Sequence, residues 1–171
     1  PTIDAMNKEG RTFKGCLYFG LMITPNGPKV IEYNCRFGDP ETQVVLPLLE
    51  TDLLTIMKAV AEGKLAEVEV KFSEKSACCV IMASAGYPES YEKGFEINIP
   101  ENIEGNVYVA GASLKCGKLL TNGGRVLGVT AVEENLKDAV KSSYALVKQI
   151  SFDNAFYRND IGAKALAVLE D

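Results

Sequence analysis

Pro25-Asn26-Gly27-Pro28 divides an apolar stretch of the chain in two, and it constrains the fold more than any other feature. Two prolines around an Asn-Gly pair stop a helix and interrupt a strand, so the flanking segments must reverse direction. Gly15 to Thr24 is almost unbroken apolar sequence and reads as a strand buried on both faces. Lys29 to Asn34 reads as the returning strand of a hairpin. Alternation predicts Val30, Glu32 and Asn34 on one side of it, with Ile31 and Tyr33 on the other.

Helical signals flank this hairpin. Thr2 is expected to cap a short helix running to about Glu9, which Gly10 ends. Asp39-Pro40 has the form of an N-cap followed by proline at the first helical position. The helix after it should run from about Glu41 toward Glu50, interrupted at Pro47. Asp52 to about Glu62 carries apolar residues at helical spacing, and Gly63 stops it. The charged stretch from Lys64 to Lys75 is the expected boundary, giving segments 1–70 and 71–171.

The second segment is richer in strand signals. Ala77 to Ala83 and Arg125 to Val132 read as strands, with shorter ones around Glu96 to Ile99 and from Val107 to Leu114. Asn122-Gly123-Gly124 reads as a tight turn. Leu136 to Gln149 has helical periodicity, and the tail beyond Phe156 is mixed. The pattern is α+β.

Composition removes several kinds of chemistry. With 171 residues and 47% hydrophobic content, the chain can build a packed core. There is no histidine, so Ser-His-Asp and Cys-His mechanisms within this chain are excluded. A net charge of -5 argues against a nucleic-acid surface, which needs a basic excess. Five cysteines with no CxxC spacing read as buried thiols of a reducing compartment, so the expected location is cytoplasmic. No apolar run approaches the roughly 18 residues that span a bilayer. The start, Pro1-Thr2-Ile3-Asp4, suggests a piece of a longer polypeptide.

Two constellations can carry chemistry. Glu32 and Asn34 place hard oxygen ligands two residues apart on one strand face, a pattern that suits Mg²⁺. Arg36 shares their parity if the strand extends, and offers a fork-shaped donor for a carboxylate or phosphate. A solvated strand face would show the same spacing, and Asp39 fits a helix cap as well as a ligand. In Thr121-Asn122-Gly123-Gly124-Arg125, the glycine amides and Arg125 can cradle an anion, or simply turn the chain.

Gly15 to Met22, followed by Glu32-Tyr33-Asn34-Cys35-Arg36-Phe37-Gly38-Asp39-Pro40-Glu41-Thr42-Gln43, closely resembles the glycinamide ribonucleotide synthetase family of ATP-grasp enzymes. Gly86-Tyr87-Pro88, Lys93-Gly94, Asn122 to Ala131 and Tyr157 to Gly162 continue the likeness in order. The resemblance implies the C-terminal part of an ATP-grasp domain followed by a small strand-rich module, rudimentary and barrel-like. It implies an ATP-dependent ligase that joins glycine to 5-phosphoribosylamine through a glycyl phosphate, in purine biosynthesis. A non-catalytic nucleotide-binding or structural fragment is the alternative.

The family likeness also implies roles. Glu32 and Asn34 would hold Mg²⁺ or Mn²⁺, and Met22 would pack beneath the adenine of ATP. Arg36 and Asp39 would act on the acceptor side, as catalytic and substrate-binding residues. Gly123, Gly124 and Arg125 would bind substrate. Many ATP-grasp relatives carry a further acidic ligand about a dozen residues before the Glu, where this chain has Gly20. The partners implied are the small-molecule substrates and the upstream lobes of the same enzyme, with no membrane and no nucleic acid. Without those lobes the chain alone should be inactive.

Overall fold

The computed structural model describes residues 1–169, which form two compact units. The first comprises Pro1–Thr42 and Leu49–Ser73; the second comprises Gln43–Leu48 and the chain from Glu74 on.

The first unit opens with helix α1 (Thr2–Lys8), whose start is closed by the Ala5 N–H on the Pro1 carbonyl at 2.9 Å. Pro1 is the cap residue and makes no side-chain bond; Thr2, expected as the cap, is already helical. Strands β1 (Tyr18–Thr24) and β2 (Gly27–Asn34) form the expected antiparallel hairpin. The first strand begins three residues later than expected, and it is not buried: Phe19, Leu21, Met22 and Ile23 are exposed among the described residues. A run that is apolar on both sides marks a strand that needs cover on both faces, and this chain supplies little of it.

The register shifts between Gly20 and Leu21, which pair with Glu32 and Val30 respectively. Ile31 is thus the extra residue of a β-bulge, and the bulge breaks the strict alternation expected for β2. Val30, opposite Leu21, parts from Glu32 and Asn34, while those two stay together.

Pro40 lies in a turn ahead of helix α2 (Thr42–Val45), not at its first position. The turn is closed by Thr42, whose N–H and hydroxyl both donate to the Gly38 carbonyl, at 3.0 and 2.5 Å. A 3-10 turn over Leu46–Leu48 takes the place of continued α-helix at Pro47. Helix α3 (Leu53–Glu62) is capped by Asp52, which accepts from the Thr55 N–H at 2.7 Å, and ends at Gly63 with φ of 75°.

The second unit is built on an antiparallel sheet of order β4-β7-β3-β8, formed by β3 (Ser76–Ser84), β4 (Asn106–Val109), β7 (Arg125–Glu133) and β8 (Ala155–Phe156). A separate ribbon pairs β5 (Ala112–Lys115) with β6 (Lys118–Thr121). Helix α4 (Leu136–Val147) is capped by Asn135 and packs on β3 and β7. Helix α5 (Ala163–Leu169) closes the described chain. The core is Val80, Met82, Val126, Leu127, Val129, Ala139 and Val147, each nearly solvent-free.

Three expectations are revised here. The strand expected from Val107 to Leu114 is two strands, broken at Ala110-Gly111. The segment from Glu96 to Ile99 makes only isolated bridges, at Glu96 and Asn98. Asn122-Gly123-Gly124 does not turn a hairpin: it carries the chain from β6 into β7, which lie in different sheets. The tight hairpin turn of this region is Cys116-Gly117, with φ of 52° and 77°.

Ser143 ties the helix to the sheet. Fully buried, its hydroxyl donates to the Cys78 carbonyl at 2.6 Å and accepts from the Ala131 N–H at 3.1 Å. Ser143→Ala removes both bonds in a dry environment and is expected to cost about 2 kcal/mol. Urea denaturation measures it; an unchanged midpoint would show that the hydroxyl contributes nothing net.

Candidate functional site

Cross-strand partners share a face, so the hairpin register defines what gathers on it. Tyr18 stands opposite Asn34, Gly20 opposite Glu32, and Met22 opposite Lys29. Tyr18, Gly20 and Met22 alternate onto the same side of β1. One face of the hairpin thus carries Met22, Glu32 and Asn34 together, three of the residues singled out from the sequence.

Glu32 and Asn34 touch: the Asn34 Nδ2 donates to the Glu32 Oε1 at 3.2 Å. Glu32 is exposed and Asn34 half-buried. The carboxamide lies beside the carboxylate with its nitrogen turned toward it, and both groups carry oxygens of the kind that suits a hard divalent cation. Among the described residues no group of three or more Cys, Asp or Glu side chains is arranged to hold a metal. Two protein ligands fit a cation that keeps waters or phosphate oxygens in its remaining positions.

Gly20 has a geometric reason to be glycine. A Cβ there would lie 2.8 Å from the Glu32 Cγ, so a side chain at this position would displace Glu32. Tyr18 and Glu41 were not anticipated as neighbours of the pair. The Tyr18 phenol is held above its ordinary range by burial, then by the charge of Glu41 and a hydrogen bond to it, and by the charge of Glu32. The Glu41 carboxylate folds back over Gly38, where a Cβ would overlap it. The hairpin register, legible only once strand pairing is known, is the signal that brings Tyr18 to Asn34.

Arg36 lies beyond the end of β2, so the parity argument for it lapses. It is exposed, and its Nη1 donates to the Phe37 carbonyl at 2.7 Å. Asp39 is exposed in the turn before α2, whose closing bonds come from Thr42. Met22 is 54% exposed, an apolar side chain on an open sheet face.

In the second unit, Gly123 and Gly124 are packed by backbone and ring. A Cβ on Gly123 would lie 2.8 Å from the Gly111 Cα, and one on Gly124 would overlap the Tyr87 ring. The turn is tied to β3 by Ser84, whose N–H donates to the Gly124 carbonyl at 2.8 Å and whose hydroxyl donates to the Gly123 carbonyl at 3.0 Å. The Arg125 Nε donates to the Tyr87 hydroxyl at 3.2 Å. The turn's close packing explains both glycines, and Arg125 is presented at its end.

The mixed helix-and-strand architecture matches the C-terminal region of an ATP-grasp enzyme, and the first 42 residues match the phosphoribosylglycinamide synthetase ATP-grasp (A) domain. Residues 77–164 match the phosphoribosylglycinamide synthetase C domain, and the chain belongs to this family. It is 51% identical to the phosphoribosylamine–glycine ligase of Caldanaerobacter subterraneus subsp. tengcongensis, over 95% of this chain and 39% of that protein. It is 47% identical to the human trifunctional purine biosynthetic protein adenosine-3, over 99% of this chain and 17% of that one. The crystal structure of phosphoribosylamine–glycine ligase from Thermotoga maritima superposes with a TM-score of 0.77 at 40% identity, covering 91% of this chain and 39% of the other. The chain therefore spans well under half the length of these relatives. No helix of the described residues is long and apolar enough to cross a membrane.

Proposed function

We propose that this chain is the carboxy-terminal part of a ligase that joins glycine to 5-phosphoribosylamine at the expense of ATP. The observation that carries the reading is the Glu32–Asn34 oxygen pair on the hairpin, in a chain whose relatives are phosphoribosylamine–glycine ligases. In this reaction the γ-phosphoryl group of ATP passes to the glycine carboxylate. The acceptor amine then attacks the activated carbonyl carbon, phosphate leaves, and glycinamide ribonucleotide and ADP result. Atoms balance: the amide nitrogen comes from the amine, which loses a proton.

Glu32 and Asn34 would hold Mg²⁺ or Mn²⁺. Such an ion neutralises charge on the phosphate oxygens. Met22, on the same face, offers an apolar surface to the adenine. Arg36 pairs with the glycine carboxylate, for which a guanidinium gives bidentate geometry. Asp39 accepts from an ammonium group or a ribose hydroxyl. Gly123, Gly124 and Arg125 receive the acceptor substrate. Residues 1–70 complete an ATP-grasp domain whose other lobes lie upstream in the same polypeptide, and the assembled enzyme works in the cytoplasm.

The described residues of segment 71–171 form a rudimentary barrel-like module. Backbone bonds support this: Phe95 and Ile97 bond to β6, and Asn98 bonds to Ser151, so isolated bridges extend the pairing outside the four-stranded sheet.

The complete polypeptide should form ADP only when ATP, glycine and 5-phosphoribosylamine are all present. ADP formation that ignores glycine would overturn the assignment. Arg36→Lys keeps the charge but loses the planar fork, and should raise the KM for glycine or lower kcat by about tenfold. A selective defect in ATP use would move Arg36 to the phosphate side.

A further inference from the structure

Tyr87 stands out because it makes contacts with both elements of the glycine turn. Its ring lies against Gly124, in space that a Cβ would fill. Its hydroxyl accepts the Nε hydrogen of Arg125 at 3.2 Å. The loop that carries it is itself fixed. Gly86 has φ of +92°, and a Cβ there would overlap the Ser90 carbonyl. The Tyr87 N–H donates to the Ser84 carbonyl at 3.1 Å and the Glu89 N–H to the Gly86 carbonyl at 2.9 Å. Ser84 in turn bonds the carbonyls of Gly123 and Gly124.

The aromatic contacts extend outward. Tyr87 and Tyr91 meet edge to face with centroids 6.1 Å apart, and the Lys93 ammonium lies 5.7 Å from the Tyr91 centroid. Tyr87 thus links this aromatic loop to one nitrogen of the Arg125 guanidinium. A guanidinium is planar, so a bond at Nε fixes the direction in which its two terminal nitrogens point.

We propose that Tyr87 is a positioning residue for Arg125: its hydroxyl sets the plane of the guanidinium that receives the anionic end of the acceptor substrate. The anion in question is a sugar phosphate. This rests on reading Arg125 as a substrate ligand, and deepens that reading by naming the residue that aims it.

Tyr87→Phe deletes the hydroxyl and leaves the ring over Gly124. In the complete polypeptide it should raise the KM for 5-phosphoribosylamine about three- to tenfold, with kcat and the KM values for ATP and glycine unchanged. Arg125→Ala should raise the same KM further. Tyr87→Phe should then add nothing in the Arg125→Ala background, because the two act as one unit. A purely structural tyrosine would instead lower thermal stability and move all three substrates together, which overturns the proposal. A raised KM in Arg125→Ala with a silent Tyr87→Phe overturns the positioning role and leaves Arg125 as a ligand. A silent Arg125→Ala overturns both.

Discussion

Glu32→Gln in the complete polypeptide should lower kcat for ADP formation by at least about a hundredfold, the scale on which charge stabilisation of a transferring group operates. The change is nearly isosteric. The Asn34 Nδ2, 3.2 Å from the Glu32 Oε1, still finds a carbonyl oxygen to donate to. What disappears is the negative charge, which matters most to a hard divalent cation. The loss should therefore show as a raised requirement for added Mg²⁺ or Mn²⁺, with folding intact. Asn34→Ala should give a smaller effect of the same kind, because a neutral ligand is lost. Titrating the metal at saturating ATP reads both. A Glu32→Gln enzyme with unchanged kcat and unchanged metal dependence would remove the pair from the metal site.

Gly111→Ala is expected to destabilise the second unit by about 3 kcal/mol, at the upper end of ordinary overpacking. A Cβ there would overlap the Arg125 carbonyl and lie 2.6 Å from the Gly123 Cα and 3.0 Å from its nitrogen. All three are backbone atoms, so no side chain can swing aside. The corner also holds the Gly111 N–H on the Arg125 carbonyl at 2.8 Å and the Asn122 N–H on the Gly111 carbonyl at 2.7 Å. Gly117→Ala is the comparison. It has φ of +77° and open space around it, so only backbone strain of about 1 kcal/mol is at stake. Urea denaturation of the two variants should separate them clearly. A Gly111→Ala cost no larger than that of Gly117→Ala would show that the corner yields, and that the close approach is not what selects glycine.

Local chemistry was legible wherever one short stretch decided the outcome. The hairpin at Pro25 to Pro28, the stop at Gly63 and the helix over Leu136–Val147 each follow from a few adjacent residues. The neighbourhood of Glu32 and Asn34 was legible for the same reason, since a spacing of two on a strand survives any pairing that leaves that stretch regular. Arg36 was not, because its parity depended on where β2 ends.

What the sequence determined by itself was the set of strands and helices with strong periodicity, the absence of histidine chemistry, and the presence of an oxygen pair beside a hairpin. Tertiary structure alone decided which strands meet. Asn122-Gly123-Gly124 has the composition of a hairpin turn, yet it joins two sheets, because β7 is already paired on both sides by β3 and β4. The bulge at Ile31 parts Val30 from Glu32 through a register that only strand pairing sets. Gly20, Gly111 and Gly124 are glycine because a distant segment crosses close to each: Glu32, Arg125 and Tyr87. Turn propensity acts over a few bonds, whereas close approach depends on residues 12 to 37 positions away, and no local pattern encodes which of them will arrive.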